Sequence, residues 1–399
     1  MGYVAARGGE QAIQQAERFF QQLNGPIDAA FVRAVEQLMP YLVDRVMGEG
    51  SLYAPELAAL ALAQTGGDLY EAVLLLRAYR STQPRLAYAE PIADASTLTV
   101  RRISAAFKDI PGGQILGPTL DYSHRILRTE VLDERPMTKD EGPSTSASGF
   151  ANQAEDKRPM TKDEGPSTSA SEFANQAVFQ DATEQLSSSV PRPSSPSSLP
   201  PVADWLRLNG LLADLPEQAT ACPSDLPDVT RDPIRFPAAR AHRLQSLARA
   251  DTGGVLALGY ASMRGYGLAH PTVNEVRLGY ADVQLRHPIS GIIFSAGRMR
   301  VSQAEIVSNS ADQLELGFAA TMGWNEIKTI SAAMLDLEMD SPTPHPAHSE
   351  EFVLYHTEPV EASGFCIHYK LPHYVTFSST LDTIRRVQNQ NGQADKLTS

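Results

Sequence analysis

Cysteine is scarce in this sequence. Only Cys222 and Cys366 occur among the 399 residues. Two thiols give no disulfide framework, and so low a content is typical of proteins that work in a reducing compartment. Because Cys366 lies two residues before His368, a role as a third ligand in a metal site stays open for it.

Long apolar runs are missing as well. No stretch approaches the roughly 20 apolar residues that a membrane-spanning helix needs, and the first residues lack the basic and apolar segments of a signal peptide. We therefore expect a cytoplasmic protein with no membrane partner. Positive charge is also in deficit, since the formal net charge is −13. That balance argues against nucleic acid or an anionic lipid surface as the main partner.

Glycine motifs of the Rossmann and Walker types do not occur either, so the fold class must be inferred from patterning. The apolar positions at helical spacing in the first part of the chain are Ile27, Phe31, Val35, Leu38, Leu42 and Val46. They predict helices, with Pro40 dividing the pattern, Thr65–Gly67 ending a later helix and Asp68 capping the next one. We assign residues 1–130 to a mainly helical N-terminal domain.

The centre of the chain has a different composition. Asp133–Glu155 and Asp156–Val178 form a tandem repeat that is rich in Ser, Thr and Pro. Such units bury too little apolar surface to offset the entropy of ordering, and two of them cannot build a solenoid. We predict a disordered insertion over residues 131–202. The insertion is either a duplication without function or a segment that docks onto a partner.

The C-terminal half predicts a mixture of helices and strands. Gly254–Ala261, Gly279–Leu285 and Gly291–Phe294 are predicted strands, Trp324–Leu337 is a predicted helix with one apolar face, and a short amphipathic helix is predicted from Trp205. Helices followed by mixed elements are typical of the α+β class rather than of a doubly wound sheet. We assign residues 203–399 to a mixed α+β domain.

The most informative segment is Gly364–Phe377. Apolar and aromatic residues alternate in it, which predicts a strand, a turn at Pro372 and a second strand. Such a hairpin brings His368 and His373 to one rim, where both imidazoles can share a metal ion or a phosphate. The alternative is a pair of ordinary, partly exposed histidines.

A second candidate site combines cations with a glycine turn. Arg101, Arg102 and Lys108 precede Gly112 and Gly113. Glycine lets backbone amides approach phosphate oxygens, and the basic side chains supply the charge, so we predict a triphosphate site here. An ordinary turn after a helix is the alternative.

A third candidate is the segment Arg264–Gly267. Tyr266 can stack on a base beside Arg264, while the two glycines open the backbone to a ligand. The alternative is a loop that needs positive φ. Asp121–Tyr122 and His124–Arg125 also place an acid, a phenol and two basic groups close together, with a solvated or salt-bridged loop as the alternative.

Short strings along the chain resemble one family, in the same order. They are Tyr3–Glu10, Leu75–Tyr79, Arg101–Ser104, Lys108–Gly113, Gly117–Thr119, Asp121–Tyr122, His124–Arg125, Arg243–Gln245, Arg264–Gly267, His270–Pro271, Glu351–Leu354 and Gly364–Phe377. Over about residues 1–130 and 200–390 the sequence resembles subunit I (PhnI) of the carbon–phosphorus lyase core complex, which acts in phosphonate breakdown. The insertion departs from the pattern of that family.

The resemblance implies a reaction at a nucleotide. Members of the family displace the purine of ATP or GTP with an alkylphosphonate oxygen and form ribose 1-alkylphosphonate 5-triphosphate; the subunit alone acts as a nucleosidase. Breaking the N-glycosidic bond needs an anion near the sugar, a hydrogen bond to the leaving base and cations for the phosphates. We expect Asp109 or Asp121 to be that anion.

The resemblance also implies zinc and protein partners. By family analogy, His368 and His373 bind a zinc ion where this subunit meets the radical lyase subunit, and water, substrate or the partner chain completes the ligands. The expected partners are the other core subunits and a second copy of this chain. No cysteine cluster of a radical enzyme is present in the sequence, so cleavage of the carbon–phosphorus bond is expected of another subunit.

Two other function classes stay open. The chain is a non-catalytic assembly subunit of that complex if its helices and its histidine hairpin only organise shared surfaces. An unrelated α+β binding protein would require the ordered strings to be accidental.

Overall fold

The computed structural model describes residues 9–92, 97–117, 119–122, 126–132, 199–212, 226–264, 271–309, 312–370 and 373–397. The chain divides into two units, Met1–Pro118 with Ser198–Ser399, and Thr119–Ser197. In the second unit the described residues include two short 3-10 helices, Leu120–Tyr122 and Thr129–Leu132. The repeat and most of the predicted insertion lie outside the described residues.

The larger unit begins with helices, as the apolar spacing predicts. They are α1 (Gly9–Asn24), α2 (Ala29–Leu38), α3 (Pro40–Gly50), α4 (Pro55–Gln64) and α5 (Leu69–Ser81). Pro40 begins α3, because proline fits the first turn, where its missing N–H is not needed. Gly66 and Gly67 take positive φ of 62° and 88° after α4, and the Asp68 carboxylate accepts hydrogen bonds from the first amides of α5. These predictions are confirmed.

Helices α2 to α5 enclose one apolar core, which buries Val43, Met47 and Leu76 among others. Helix α1 buries none of its residues against the described part of the chain. Its apolar residues Ile13 and Leu23 are 62% and 67% exposed.

The sheet in the described residues has four antiparallel strands. They are β1 (Leu98–Ile103), β2 (Thr272–Arg286), β3 (Ile293–Asn309) and β4 (Leu314–Met322), in that spatial order. Strand β1 comes from the first part of the chain and pairs with β2, so that Ile103 lies opposite Val276. Together with the helical start, this mixed second half confirms the α+β class.

Further helices complete the larger unit. They are α6 (Val202–Leu208), α7 (Arg240–Arg249), α8 (Thr252–Met263), α9 (Glu326–Met339), α10 (Glu350–His356), α11 (Pro359–Tyr369) and α12 (Tyr374–Leu397). The predicted helix at Trp324–Leu337 is confirmed as α9, and its Leu335 is fully buried in a core with Ala304, Ile306 and Val255. Among the described helices, none combines the length and the hydropathy required to cross a bilayer.

Two of the predicted strands have counterparts in the sheet. Gly279–Leu285 lies within β2, and Gly291–Phe294 overlaps the start of β3, although Gly291 belongs to the preceding turn with a φ of 70°.

The predicted strand at Gly254–Ala261 is wrong, because these residues lie in α8. Asp251 begins this helix by accepting a hydrogen bond from the Gly254 amide at 2.5 Å. Its glycines permit close packing: a Cβ on Gly259 would lie 3.1 Å from the Ser331 Cβ of α9. A helix apolar on several sides lacks the one-sided pattern that distinguishes a surface helix from a strand.

The predicted strands around His368 and His373 are wrong as well. The segment forms the end of α11 and the start of α12. Pro359 and the Glu358 cap begin α11, and the rings of Phe365 and Tyr369, one turn apart, meet at 4.6 Å. Aromatic residues four positions apart fit a helix and a strand alike, because four is a multiple of the strand period and close to one helical turn.

Charged groups join the helical part to the sheet. The Asp44 carboxylate of α3 receives two hydrogen bonds from Arg300 of β3, at 3.0 Å and 2.7 Å. Glu49 accepts from Arg45 and from the Thr252 amide at the start of α8. Fully buried Lys328 of α9 donates from Nζ to the Ala248 carbonyl oxygen at 2.6 Å.

Candidate functional site

The two histidines of the C-terminal segment lie side by side. His368 is in the last turn of α11 and His373 directly precedes α12. Their ring centroids are 5.0 Å apart and the rings are nearly perpendicular, at 87°. His368 is exposed and His373 is half-buried. The two imidazoles therefore share one rim, although consecutive helices and not strands place them there.

The spacing of the rings fits a shared zinc ion. Zinc–nitrogen bonds of about 2.0–2.1 Å put each ring centre about 3 Å from the metal, so tetrahedral ligation separates the centres by about 5 Å. In the described part of the chain no group of three or more His, Cys, Asp or Glu side chains is suited to a metal. The exposed thiol of Cys366 thus completes no such group, and the histidines would supply two ligands of a larger set.

Arg101 and Arg102 of the predicted triphosphate site are buried in β1. The Arg102 guanidinium contacts the Glu275 carboxylate and donates to the carbonyl oxygens of Gly113 at 3.1 Å and Pro200 at 2.7 Å. Arg101 contacts Glu326 and donates to a carbonyl oxygen at the end of the following loop. Arg102 thus holds the glycine turn against the sheet and Arg101 holds the end of the same loop. Contact of either side chain with phosphate stays a prediction.

The turn itself is open to solvent. Gly112 and Gly113 take positive φ of 82° and 76°, and a Cβ on Gly113 would meet no atom within 4 Å. Lys108 and Asp109 are exposed in the same loop. Lys108 and the two glycines are thus exposed in one loop, which Arg102 holds through the Gly113 carbonyl oxygen.

The other predicted residues belong to other segments of the chain. Asp121 is exposed in the second unit, where its backbone amide donates to Thr119 Oγ1 at 3.2 Å. Arg264 is exposed at the end of α8, and its guanidinium lies 5.9 Å from the ring centre of Tyr260. Tyr266 lies outside the described residues, so its predicted stacking on a base stays a prediction.

Comparison with known proteins identifies the family. The model of the family described as "Bacterial phosphonate metabolism protein (PhnI)" matches residues 2–391. This chain belongs to the PhnI family. The match includes the glycine turn, the sheet and both histidines.

Relatives of this PhnI family member align along nearly the whole chain. A protein of Stutzerimonas stutzeri named "Putative C-P lyase subunit protein HtxH" is 40% identical, over 98% of this chain and 97% of its own length. Proteins named "Alpha-D-ribose 1-methylphosphonate 5-triphosphate synthase subunit PhnI" are each 37% identical. The protein of Rhizobium meliloti (strain 1021) aligns over 98% of this chain and 96% of its own length. That of Escherichia coli (strain K12) aligns over 97% and 99%.

One feature of this PhnI family member is missing from the sequence-based site predictions. A cleft of about 470 Å³ is lined by Arg77, Arg80 and Arg249. Arg77 and Arg80 lie one turn apart on α5, which is a local signal for two cations on one face. The third arginine is at the end of α7, and only the fold brings it to the other two.

Proposed function

We propose that this chain displaces the purine base of ATP or GTP with an alkylphosphonate, as a subunit of a carbon–phosphorus lyase complex. The supporting observation is the family match over residues 2–391, together with relatives that are named as subunits of a ribose 1-methylphosphonate 5-triphosphate synthase.

The proposed reaction exchanges one bond at the sugar for another. A phosphonate oxygen bonds to C1′ of the ribose while the bond from C1′ to the purine nitrogen breaks. The electron pair of the broken bond stays on the base, which takes up the proton that the phosphonate releases. With water in place of the phosphonate, the products are the free base and ribose 5-triphosphate.

The open turn suits the charged part of this substrate. In the proposal, Lys108 supplies a cation to the triphosphate, and the exposed backbone at Gly112 and Gly113 allows close approach of phosphate oxygens. Arg102 holds the turn, and Arg101 holds the end of the same loop. Asp109, one residue after Lys108, or Asp121 is proposed as the anion beside the sugar.

His368 and His373 would hold a zinc ion, which when bound supplies a Lewis acid for a phosphoryl oxygen. The remaining ligands are proposed to come from water, substrate or the radical lyase subunit. We further propose that the chain works in the cytoplasm with the other core subunits and a second copy of itself.

A second candidate function is assembly without catalysis. Helices α11 and α12 expose several large apolar side chains, namely Phe365, Ile367, Tyr369, Phe377, Leu381, Ile384 and Val387. Exposed apolar groups of this kind are typical of surfaces that partner chains cover. The histidine pair lies in the same segment, so a partner there would also adjoin the proposed zinc ligands.

Chromatographic detection of free adenine or guanine distinguishes the two functions. The purified chain is incubated with ATP or GTP beside folded Lys108→Ala and His373→Ala variants. We expect base release by the wild type and a loss of at least about tenfold in Lys108→Ala, because a charged contact to phosphate is lost. No release by the lone chain, with normal turnover by complexes that carry each variant, would favour the assembly function.

A further inference from the structure

The cleft of about 470 Å³ lies between α5, the end of α7, α10 and the first turn of α11. Its apolar lining includes Leu74, Ile234, Leu354 and Val360, and Tyr355 adds a half-exposed aromatic ring. A volume of this size is typical of small-molecule sites. The combination of apolar walls and three arginines is selective for a ligand that is partly apolar and partly anionic.

The three arginines differ in how well the protein satisfies them. Arg77 donates to the Glu49 carbonyl oxygen at 2.9 Å, donates to the Arg249 carbonyl oxygen at 3.1 Å and contacts Glu358. Arg249 donates to the Val229 carbonyl oxygen at 2.6 Å, but its Nε lies 3.7 Å from the Glu358 carboxylate, beyond hydrogen-bond distance.

Arg80 is the least satisfied of the three. Its Nε and Nη1 atoms are shielded from solvent and have no hydrogen-bond partner in the described part of the chain. A buried guanidinium nitrogen without an acceptor costs the full desolvation of that group. Because these two nitrogens are shielded, an anion in the cleft acts on the charge of the guanidinium as a whole.

The arginines of the cleft also disfavour one another's positive charge. Burial and the neighbouring Arg77 lower the pKa of Arg249 to about 10. Burial and the same Arg77 also lower the pKa of Arg80. Each guanidinium would be stabilised by an anion between them.

The carboxylates that line the cleft do not supply the anion that would stabilise Arg80. Glu358 already contacts Arg77 and caps α11, and one oxygen of Asp232 accepts from the Asp228 amide. Glu361 is exposed at the rim. None of the three is hydrogen-bonded to the Nε or Nη1 of Arg80.

We propose that this cleft binds a phosphoryl oxyanion, with Arg80 and Arg249 as its main ligands and the apolar wall around Leu354 receiving the remainder of the molecule. Phosphoryl oxygens match the fork of a guanidinium and accept two hydrogen bonds from it. Inorganic phosphate, the phosphate chain of a nucleotide and an alkylphosphonate all carry this group. This proposal rests on the proposed function only in the choice of the ligands that are used as probes.

The test measures binding by titration calorimetry to the full-length chain, with inorganic phosphate, ATP and ethylphosphonate as separate probes. Arg80→Gln removes the unpaired guanidinium, and Arg298→Gln on the exposed end of β3 is the matched control. We expect saturable binding of at least one probe to the wild type and to Arg298→Gln. Arg80→Gln should bind that probe at least about tenfold more weakly, as the loss of a charged contact predicts.

The ranking of the probes identifies the source of the anion. Tighter binding of ethylphosphonate than of phosphate would assign an alkylphosphonate, and tighter binding of ATP would assign a nucleotide. Equal binding of all three would assign the phosphoryl group alone. Base release is not part of this measurement, so failure of the proposed reaction leaves the result intact.

Thermal melting separates binding from a folding defect. Because two Arg80 nitrogens lack acceptors in the empty cleft, Arg80→Gln should melt no lower than the wild type without ligand. The same probe concentration should raise its melting temperature less than that of the wild type. Absence of saturable binding by the wild type, or equal binding by Arg80→Gln, would overturn the proposal. So would an identical stabilisation by chloride at matched ionic strength.

Discussion

Lys328 carries its ammonium group into the interior of the larger unit, between α9 and the end of α7. Burial lowers its pKa to about 8 from the usual 10.5, while Glu49 and Asp251 act in the opposite direction. The Ala248 carbonyl oxygen is its acceptor, at 2.6 Å. A lysine at this depth destabilises the fold whenever it is charged, because the unfolded chain solvates the ammonium better.

This residue predicts a pH dependence of stability. Below pH 8 both the folded and the unfolded states bind the proton. Between about pH 8 and 10.5 the unfolded state binds more protons, so the free energy of unfolding should gain about 3 kcal/mol from Lys328 as the pH rises. Denaturant titrations of the wild type and Lys328→Met at pH 7.5 and pH 10 measure about 2 kcal/mol of this gain, which the variant should lose. The exposed Lys370→Met variant should keep it, and parallel behaviour of wild type and Lys328→Met would contradict the assignment.

The contact between β4 and α9 depends on a single glycine. An added Cβ on Gly317 would lie 2.1 Å from the Ala333 carbonyl oxygen and 2.7 Å from the Leu337 Cβ. Both atoms belong to α9 and lie where it packs against β4, so moving either of them would disturb the packing of the helix. The strand and the helix therefore approach as closely as their backbones allow.

Gly317→Ala should accordingly lower the free energy of unfolding by about 3 kcal/mol, the upper part of the range for overpacked cores. Gly364→Ala in α11 is the matched control. Its Cβ would meet nothing within 4 Å, so helix propensity should leave the stability unchanged or raise it by about 1 kcal/mol. Equilibrium denaturation measures the free energy of unfolding of both variants. Equal changes in the two would show that backbone propensity, and not the contact with α9, determines the effect of an added methyl group.

The same elements show what sequence patterns can and cannot predict. The breaks at Pro40 and Asp68 are local, because a proline and a cap act within one turn, and both were predictable. Helix α8 was not predictable, because its apolar residues face several neighbouring elements and do not recur at helical spacing. The protein partners of Arg102 were not predictable for a related reason: Glu275 and Pro200 lie far away in the chain, and only the folded sheet brings them together.

The two parts of the chain assigned to separate domains meet in one sheet. Strand β1 and the β2–β4 strands belong to the same unit, Met1–Pro118 with Ser198–Ser399. Patterning predicted both parts and the α+β class, but not the pairing of β1 with β2, since register between distant segments leaves no local signal. The position of the repeat between them made a domain boundary there a natural expectation.

The composition of the repeat predicts that it adds nothing to the stability of this unit. A chain without Asp133–Val178 should therefore keep the melting temperature and the base release of the full-length chain, because Ser- and Pro-rich units bury little apolar surface. Differential scanning calorimetry and the chromatographic assay measure the two quantities side by side. A clear loss of either would contradict the predicted disorder and favour the docking segment.

The pairing of β1 with β2 also imposes an order on biosynthesis. Helices α2 to α5 bury their apolar core largely against one another, so this core can form soon after they leave the ribosome. Strand β1 must wait for β2, which follows after the whole central segment; at ~5–20 residues per second that interval is tens of seconds or less. During this time the β1 segment has no β2 to pair with. The positive charges of Arg101 and Arg102 then oppose edge-to-edge association of this segment with other chains.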